Sequence, residues 1–184
     1  MNMSHWYALQ CVSGKENVVR DGVQKVFTNY STFFPRRELE IRKNGKTSLQ
    51  VKSLFPGYFF LQSRTRLFYH EALDISRKVG EMCSSISFLK VVGMYRSDKS
   101  IGSDEIVPIL NHEMDLFLNM TDEREVVQFS QYKKEGEKVQ IISGPLSGRE
   151  GIIIKINPRK KRIKVGVNLL GEIQVIDLGA EMIA

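Results

Sequence analysis

Cysteine is scarce: Cys11 and Cys83 are the only two, far apart and outside any Cys-x-x-Cys pair. That spacing argues against a disulfide scaffold and against structural zinc, and both residues read as buried thiols of a reducing compartment. The three histidines, His5, His70 and His112, have no metal-ligand spacing with one another or with a cysteine. No metal or cofactor is expected. No run approaches the roughly 18 uninterrupted apolar residues of a membrane span. Met1 to Trp6 lacks a basic stretch followed by an apolar one, so no signal peptide is read. A cytoplasmic location is expected by elimination, with no membrane partner. The glycine-rich segment 144–151 lacks the Gly-Lys-Ser/Thr ending and the following helix of a P-loop. No serine elbow or Cys-His signature occurs. Glu38 and Glu40 share one strand face but sit in a polar hairpin, so they read as solvated. No enzymatic activity is expected.

What is present is a mild basic excess. There are 27 Lys and Arg against 21 Asp and Glu, a formal net charge of +6. This favours a polyanionic partner such as nucleic acid, with an ordinary solvated surface as the alternative. The excess is densest in residues 134–184, with nine basic and six acidic side chains.

The patterning divides the chain. Trp6-Tyr7-Ala8-Leu9-Gln10-Cys11 reads as a buried strand ended at Ser13-Gly14. Val18, Val19, Val23, Val26 and Phe27 then mark a helix, with Ser13 and Glu16 at capping-box spacing. Residues 33–62 read as a long hairpin and return, turning at Asn44-Gly45. Leu67–Val79 predicts a helix, Ser84–Val92 a strand, and Asp104–Leu118 a helix with Ser103 as its N-cap. The order β-α-β-β-α-β-α predicts an α+β fold, an antiparallel sheet with flanking helices, over 1–118. Residues 119–133 read as a linker. Residues 134–184 are β-branched strands at short spacing, Val139–Ile142, Gly151–Ile156, Ile163–Val167 and Glu172–Ile176, which predict a small all-β barrel.

Gly136-Glu137-Lys138-Val139-Gln140-Ile141-Ile142-Ser143-Gly144-Pro145-Leu146-Ser147-Gly148-Arg149-Glu150-Gly151-Ile152 resembles the KOW motif. Trp6 to Gln10 with Ser13-Gly14-Lys15-Glu16, and Leu54-Phe55-Pro56-Gly57-Tyr58-Phe59-Phe60-Leu61-Gln62, resemble the N-terminal (NGN) domain of the NusG family. Order, spacing and the terminal KOW segment together cover nearly the whole chain. The resemblance implies a monomeric transcription elongation factor whose N-terminal domain grips the clamp helices of the largest RNA polymerase subunit. Tyr7, Phe33, Phe34, Phe55, Tyr58 and Phe59 are the candidate polymerase contacts, with Phe55 and Tyr58 foremost by motif. Plain alternation from Phe55 would put Phe59 on its face and Tyr58 and Phe60 on the other, unless Pro56 breaks the phase. Residues 64–68 fall where the family reaches the opposite jaw.

The chain also departs from that family. Leu146 stands where general members carry a KOW-loop phenylalanine that contacts Rho or a ribosomal protein. The turn after residue 157 is strongly basic: Arg159, Lys160, Lys161, Arg162 and Lys164, with Arg149 and Lys155 nearby. These seven are the candidate RNA contacts, since a basic hairpin tip can follow a phosphate backbone. Together they make the chain resemble a specialised paralogue of the LoaP antiterminator type, recruited by a nascent RNA hairpin. The alternatives are a housekeeping NusG coupled to ribosome or Rho, and an RfaH-type factor recruited by non-template DNA. Lys15, Arg20 and Lys25, spaced by five on the first helix, leave nucleic-acid contact open there too.

Overall fold

The computed structural model describes residues 4–82, 89–92, 95–98, 103–136 and 138–183. In chain order the elements are β1 (His5–Cys11), α1 (Glu16–Val26), β2 (Tyr30–Phe33), β3 (Arg36–Lys43), β4 (Lys46–Ser53), β5 (Tyr58–Ser63), α2 (Tyr69–Met82) and β6 (Leu89–Val92). There follow β7 (Tyr95–Asp98), β8 (Ser103–Ile106), α3 (Asn111–Met120), β9 (Val126–Val127), β10 (Ser130–Glu135), β11 (Lys138–Ser143), β12 (Ile153–Asn157), β13 (Arg162–Leu169) and β14 (Glu172–Met182). They group into two compact units, residues 1–34 with 55–114, and residues 35–54 with 115–184.

The first unit is an α+β layer. Its sheet runs β2-β5-β1-β6, with β1 antiparallel to both β5 and β6. Strand alternation sends Tyr7, Leu9, Cys11, Phe59 and Leu61 to one face, where they pack with Val19 and Val23 of α1 and Ala72, Ile75 and Val79 of α2. Trp6, Phe33 and Phe60 lie on the other face and are also buried. Val18, expected on the buried stripe of α1, is exposed; the stripe is Val19, Gly22 and Val23.

Two predicted helix starts are corrected. α1 begins at Glu16, so Glu16 is its first residue and no capping box forms; Lys15 is the N-cap without a side-chain bond. α3 begins at Asn111, while Ser103, the expected N-cap, lies in β8. Pro108 explains the shift: inside a helix it would lack its N–H and collide with the carbonyl four residues back. Of the predicted strand Ser84–Val92, residues 84–88 lie outside the described residues, and so does Cys83.

The second unit is built on strands. Its five-stranded sheet has the order β11-β10-β14-β13-β12. On β13, Ile163, Val165, Val167 and Leu169 are buried while Lys164 and Asn168 are exposed, the alternation expected of a sheet with one apolar face. The sheet curls, and the Ile141 N–H donates to Glu150 in the short turn before β12. Residues 119–133, read as a linker, carry β9 and the start of β10, and bury Val126, Val127, Ser130 and Tyr132. The β3–β4 hairpin belongs to this unit. It turns at Asn44 (φ 52°) and Gly45 (φ 75°), the left-handed pair a two-residue hairpin needs.

Candidate nucleic-acid interface

The basic turn predicted from sequence is a tight structure in the second unit. Asn157 and Pro158 open a single 3-10 turn, and the Asn157 side chain accepts from the Lys160 N–H at 3.1 Å. Lys161 follows in the left-handed region (φ 49°). That reversal splits the run of cations. Lys155, Arg159, Lys160, Arg162 and Lys164 line a groove of about 650 Å³, together with Arg42 and Thr47 of the β3–β4 hairpin. Lys161 is turned out of the groove, and its ammonium donates to Glu40 at 2.9 Å and lies 3.7 Å from Glu181. The hydrogen bond to Glu40 raises its pKa.

Five of the seven predicted RNA contacts are thus brought together. Lys161 and Arg149 are not. The Arg149 guanidinium donates to the carbonyls of Pro145 and Ser147 at 3.3 and 3.1 Å, tying down the loop it follows. Sequence reading missed Arg42. The Arg42-Lys43-Asn44-Gly45-Lys46 tip was a visible signal, but only long-range packing brings it beside residues 155–164.

Two carboxylates also line the groove, and both are engaged. Glu40 holds Lys161, and Asp177 lies 3.5 Å from the Lys164 ammonium. Among the described residues, the side chains of Arg42, Lys155, Arg159 and Lys160 have no ion-pair or hydrogen-bond partner. Like charges gathered in one concavity repel each other and raise the local concentration of anions.

The aromatic candidates lie in the first unit, and burial separates them. Tyr7 (1% exposed), Phe33, Phe34 and Phe59 are core residues, so they offer no surface for a partner. The Tyr7 hydroxyl accepts from the Leu67 N–H at 2.8 Å, and burial raises its pKa. The physical reason is that both faces of this sheet are covered, so alternation does not separate inside from outside. Phe55 and Tyr58 are half-buried. They flank a turn in which the Tyr58 N–H donates to the Phe55 carbonyl at 3.0 Å, with Pro56 second and Gly57 third at φ 83°. That is a type II turn. It breaks the strand phase and lays Phe55 edge-on to Phe60, centroids 5.9 Å apart, rather than on the Phe59 face.

The turn is anchored from below. The Gly57 N–H donates to Glu16 Oε1 at 2.7 Å, and Glu16 is buried. A Cβ at Gly57 would sit 3.1 Å from the Cys11 carbonyl oxygen. Burial, and then the Glu16 carboxylate, push the Cys11 thiol up to about 11.

Residues 4–118 match the family model described as "Transcription termination factor nusG", and residues 135–165 match that of the KOW motif. The chain belongs to the NusG family. It is 25% identical over 183 residues to the transcription termination/antitermination protein NusG of Thermus thermophilus, covering 94% of each chain. It is 27% identical over 186 residues to the protein of that name from Streptococcus pyogenes, covering 97% of this chain and 94% of the relative. A solved structure described as "Domain interaction in Thermotoga maritima NusG" overlays with a TM-score of 0.48 at 21% identity, covering 96% and 94%. The protein is therefore a termination/antitermination factor of the NusG family, with a mixed α/β N-terminal region and a curled β-sheet at its C-terminus.

Within the KOW segment, Leu146 is a core position. Leu146 is fully buried, and its N–H donates to Ser130 Oγ at 3.1 Å. Gly144 (φ 95°) lets the loop approach β10: a Cβ there would lie 2.7 Å from the Phe129 carbonyl oxygen.

Proposed function

We propose that this NusG-family factor suppresses termination after recruitment by structured nascent RNA. In this reading it binds polymerase clamp helices through the Phe55–Tyr58 turn and RNA through the cationic groove. The observation that carries the reading is the cluster of unpartnered cations at Arg42, Lys155, Arg159 and Lys160. A housekeeping role through a KOW-loop aromatic has less support, because Leu146 is buried and presents no anchor. Two modest sites on one chain raise each other's effective concentration, so a weak RNA contact suffices once polymerase is engaged. A polymerase clamped by a ligand that prefers its closed state is biased toward elongation.

The test is transcription in vitro by purified polymerase through a terminator, on templates with and without a hairpin-forming leader. Read-through that rises only with the leader supports recruitment. Equal read-through on both templates removes it. Phe55→Ala with Tyr58→Ala should weaken polymerase binding about tenfold or more, the scale of two aromatic anchors at an interface. Unchanged binding would place the polymerase contact elsewhere.

A further inference from the structure

The groove has two walls from distant parts of the sequence. One is the turn of β12 and β13, carrying Lys155, Arg159 and Lys160; the other is the β3–β4 hairpin, carrying Arg42 and Thr47. The hairpin is fixed to the sheet by named contacts. Lys161 donates to the Glu40 carboxylate at 2.9 Å, Arg162 donates to the Glu40 carbonyl at 3.4 Å, and Arg37 donates to the Asp177 carbonyl. Gly179 makes this approach sterically feasible, since a Cβ there would lie 2.6 Å from the Glu38 carbonyl oxygen. Desolvation lowers the Arg37 pKa, with Asp177 acting against it. A half-buried cation with a specified backbone partner marks a built contact rather than a loose one.

We propose that the RNA site is composite: the β3–β4 hairpin supplies its second wall, Arg42 contacts a phosphate directly, and Lys161 acts only as the positioning strut. The ligand is the sugar–phosphate backbone of an RNA stem. Unpartnered cations on both walls take phosphate oxygens, and the Thr47 hydroxyl and Asn157 amide are placed to meet ribose hydroxyls, the group that separates RNA from DNA. The inference rests on the RNA-recruitment reading. It adds that a fragment holding residues 134–184 alone lacks a wall of the site. It also removes one residue, Lys161, from the basic run as a contact.

The experiment uses the full chain, a fluorescent RNA stem-loop and the DNA stem-loop of the same sequence, titrated from about 50 to 200 mM salt. Arg42→Ala and Lys160→Ala should each flatten the log–log salt slope by about 0.7 to 0.9 and weaken binding about five- to eightfold at 0.1 M salt, the signature of one lost phosphate contact. Lys161→Ala should weaken binding while Lys161→Arg restores it, because either cation reaches Glu40. Arg42→Ala and Lys160→Ala, both at exposed positions, should unfold at the wild-type temperature. If Lys160→Ala weakens binding and Arg42→Ala changes neither slope nor affinity, the second wall is wrong and RNA recruitment stands. If neither variant has an effect, RNA recruitment through this groove fails, and the composite site with it. A DNA stem-loop bound as tightly as the RNA overturns the assignment of the ligand to RNA.

Discussion

Glu16→Ala tests how the Phe55–Tyr58 turn, the proposed polymerase contact, is held. The wild-type carboxylate is 5% exposed and accepts the Gly57 N–H at 2.7 Å. It is also the first residue of α1, where the helix dipole favours negative charge. Alanine leaves the Gly57 N–H buried and unmatched, and a charge-assisted bond of this kind is worth about 1.5 to 3 kcal/mol. At about 2 to 4 °C per kcal/mol for a chain of this size, unfolding should drop by about 3 to 12 °C. A second readout is local. The Glu16 charge is one of the two causes that hold the Cys11 thiol near 11. Removing it lowers that value, so more thiolate is present at mild alkaline pH and alkylation runs faster. The assay is thermal unfolding together with iodoacetamide labelling in a Cys83→Ser background. An unchanged melting temperature with unchanged labelling would refute the anchoring role of Glu16. Polymerase affinity should fall with stability, because Phe55 and Tyr58 flank the released turn.

Other outcomes follow from separate contacts. Cys11 has a raised folded pKa, so its contribution to stability is complete below the unfolded thiol value and is lost as pH climbs toward about 11; alkaline denaturation should begin earlier in wild type than in Cys11→Ala. Asp122 behaves oppositely. Burial disfavours its charge, but the N–H groups of Val126 and Arg124 and the side chains of Gln128 and Arg124 outweigh it and hold it at about 2. Its stabilisation is present above the usual carboxylate range and lost as pH falls toward 2, a loss Asp122→Asn should abolish in acid titrations. Leu146→Ala should cost about 2 to 5 kcal/mol in denaturant unfolding, since the side chain is fully buried; a near-neutral result would mean the loop is not packed as described. Gly179→Ala should expose the β3–β4 hairpin to limited proteolysis, because its Cβ would lie 2.6 Å from the Glu38 carbonyl oxygen and 2.5 Å from the Phe129 ring.

Much of the fold was readable where local chemistry decides it. Asn44-Gly45 specifies its turn through two left-handed residues, and the alternation of Ile163, Val165 and Val167 specifies a one-faced strand. The helix predicted over 104–118 started too early because hydrophobic spacing outweighed Pro108. The strands β9 and β10 hid in a segment whose exposed residues are polar. The candidate site was half legible. The basic turn stood out, yet no local signal says that Lys161 turns away to Glu40, since that depends on a left-handed residue and a partner 121 positions distant. Arg42 escaped for the same reason. The aromatic set was too broad because a sheet buried on both faces offers no alternation by which to sort Phe33 from Phe34.

The most direct measurement is leader-dependent read-through by the wild-type chain and by a variant with Arg159 and Lys160 both changed to alanine. The expected result is antitermination by wild type only when the leader hairpin is present, and loss of that dependence in the variant, with its polymerase binding unchanged. Leader-dependent read-through of equal size in both proteins would contradict the assignment of the cationic groove as the recruitment site.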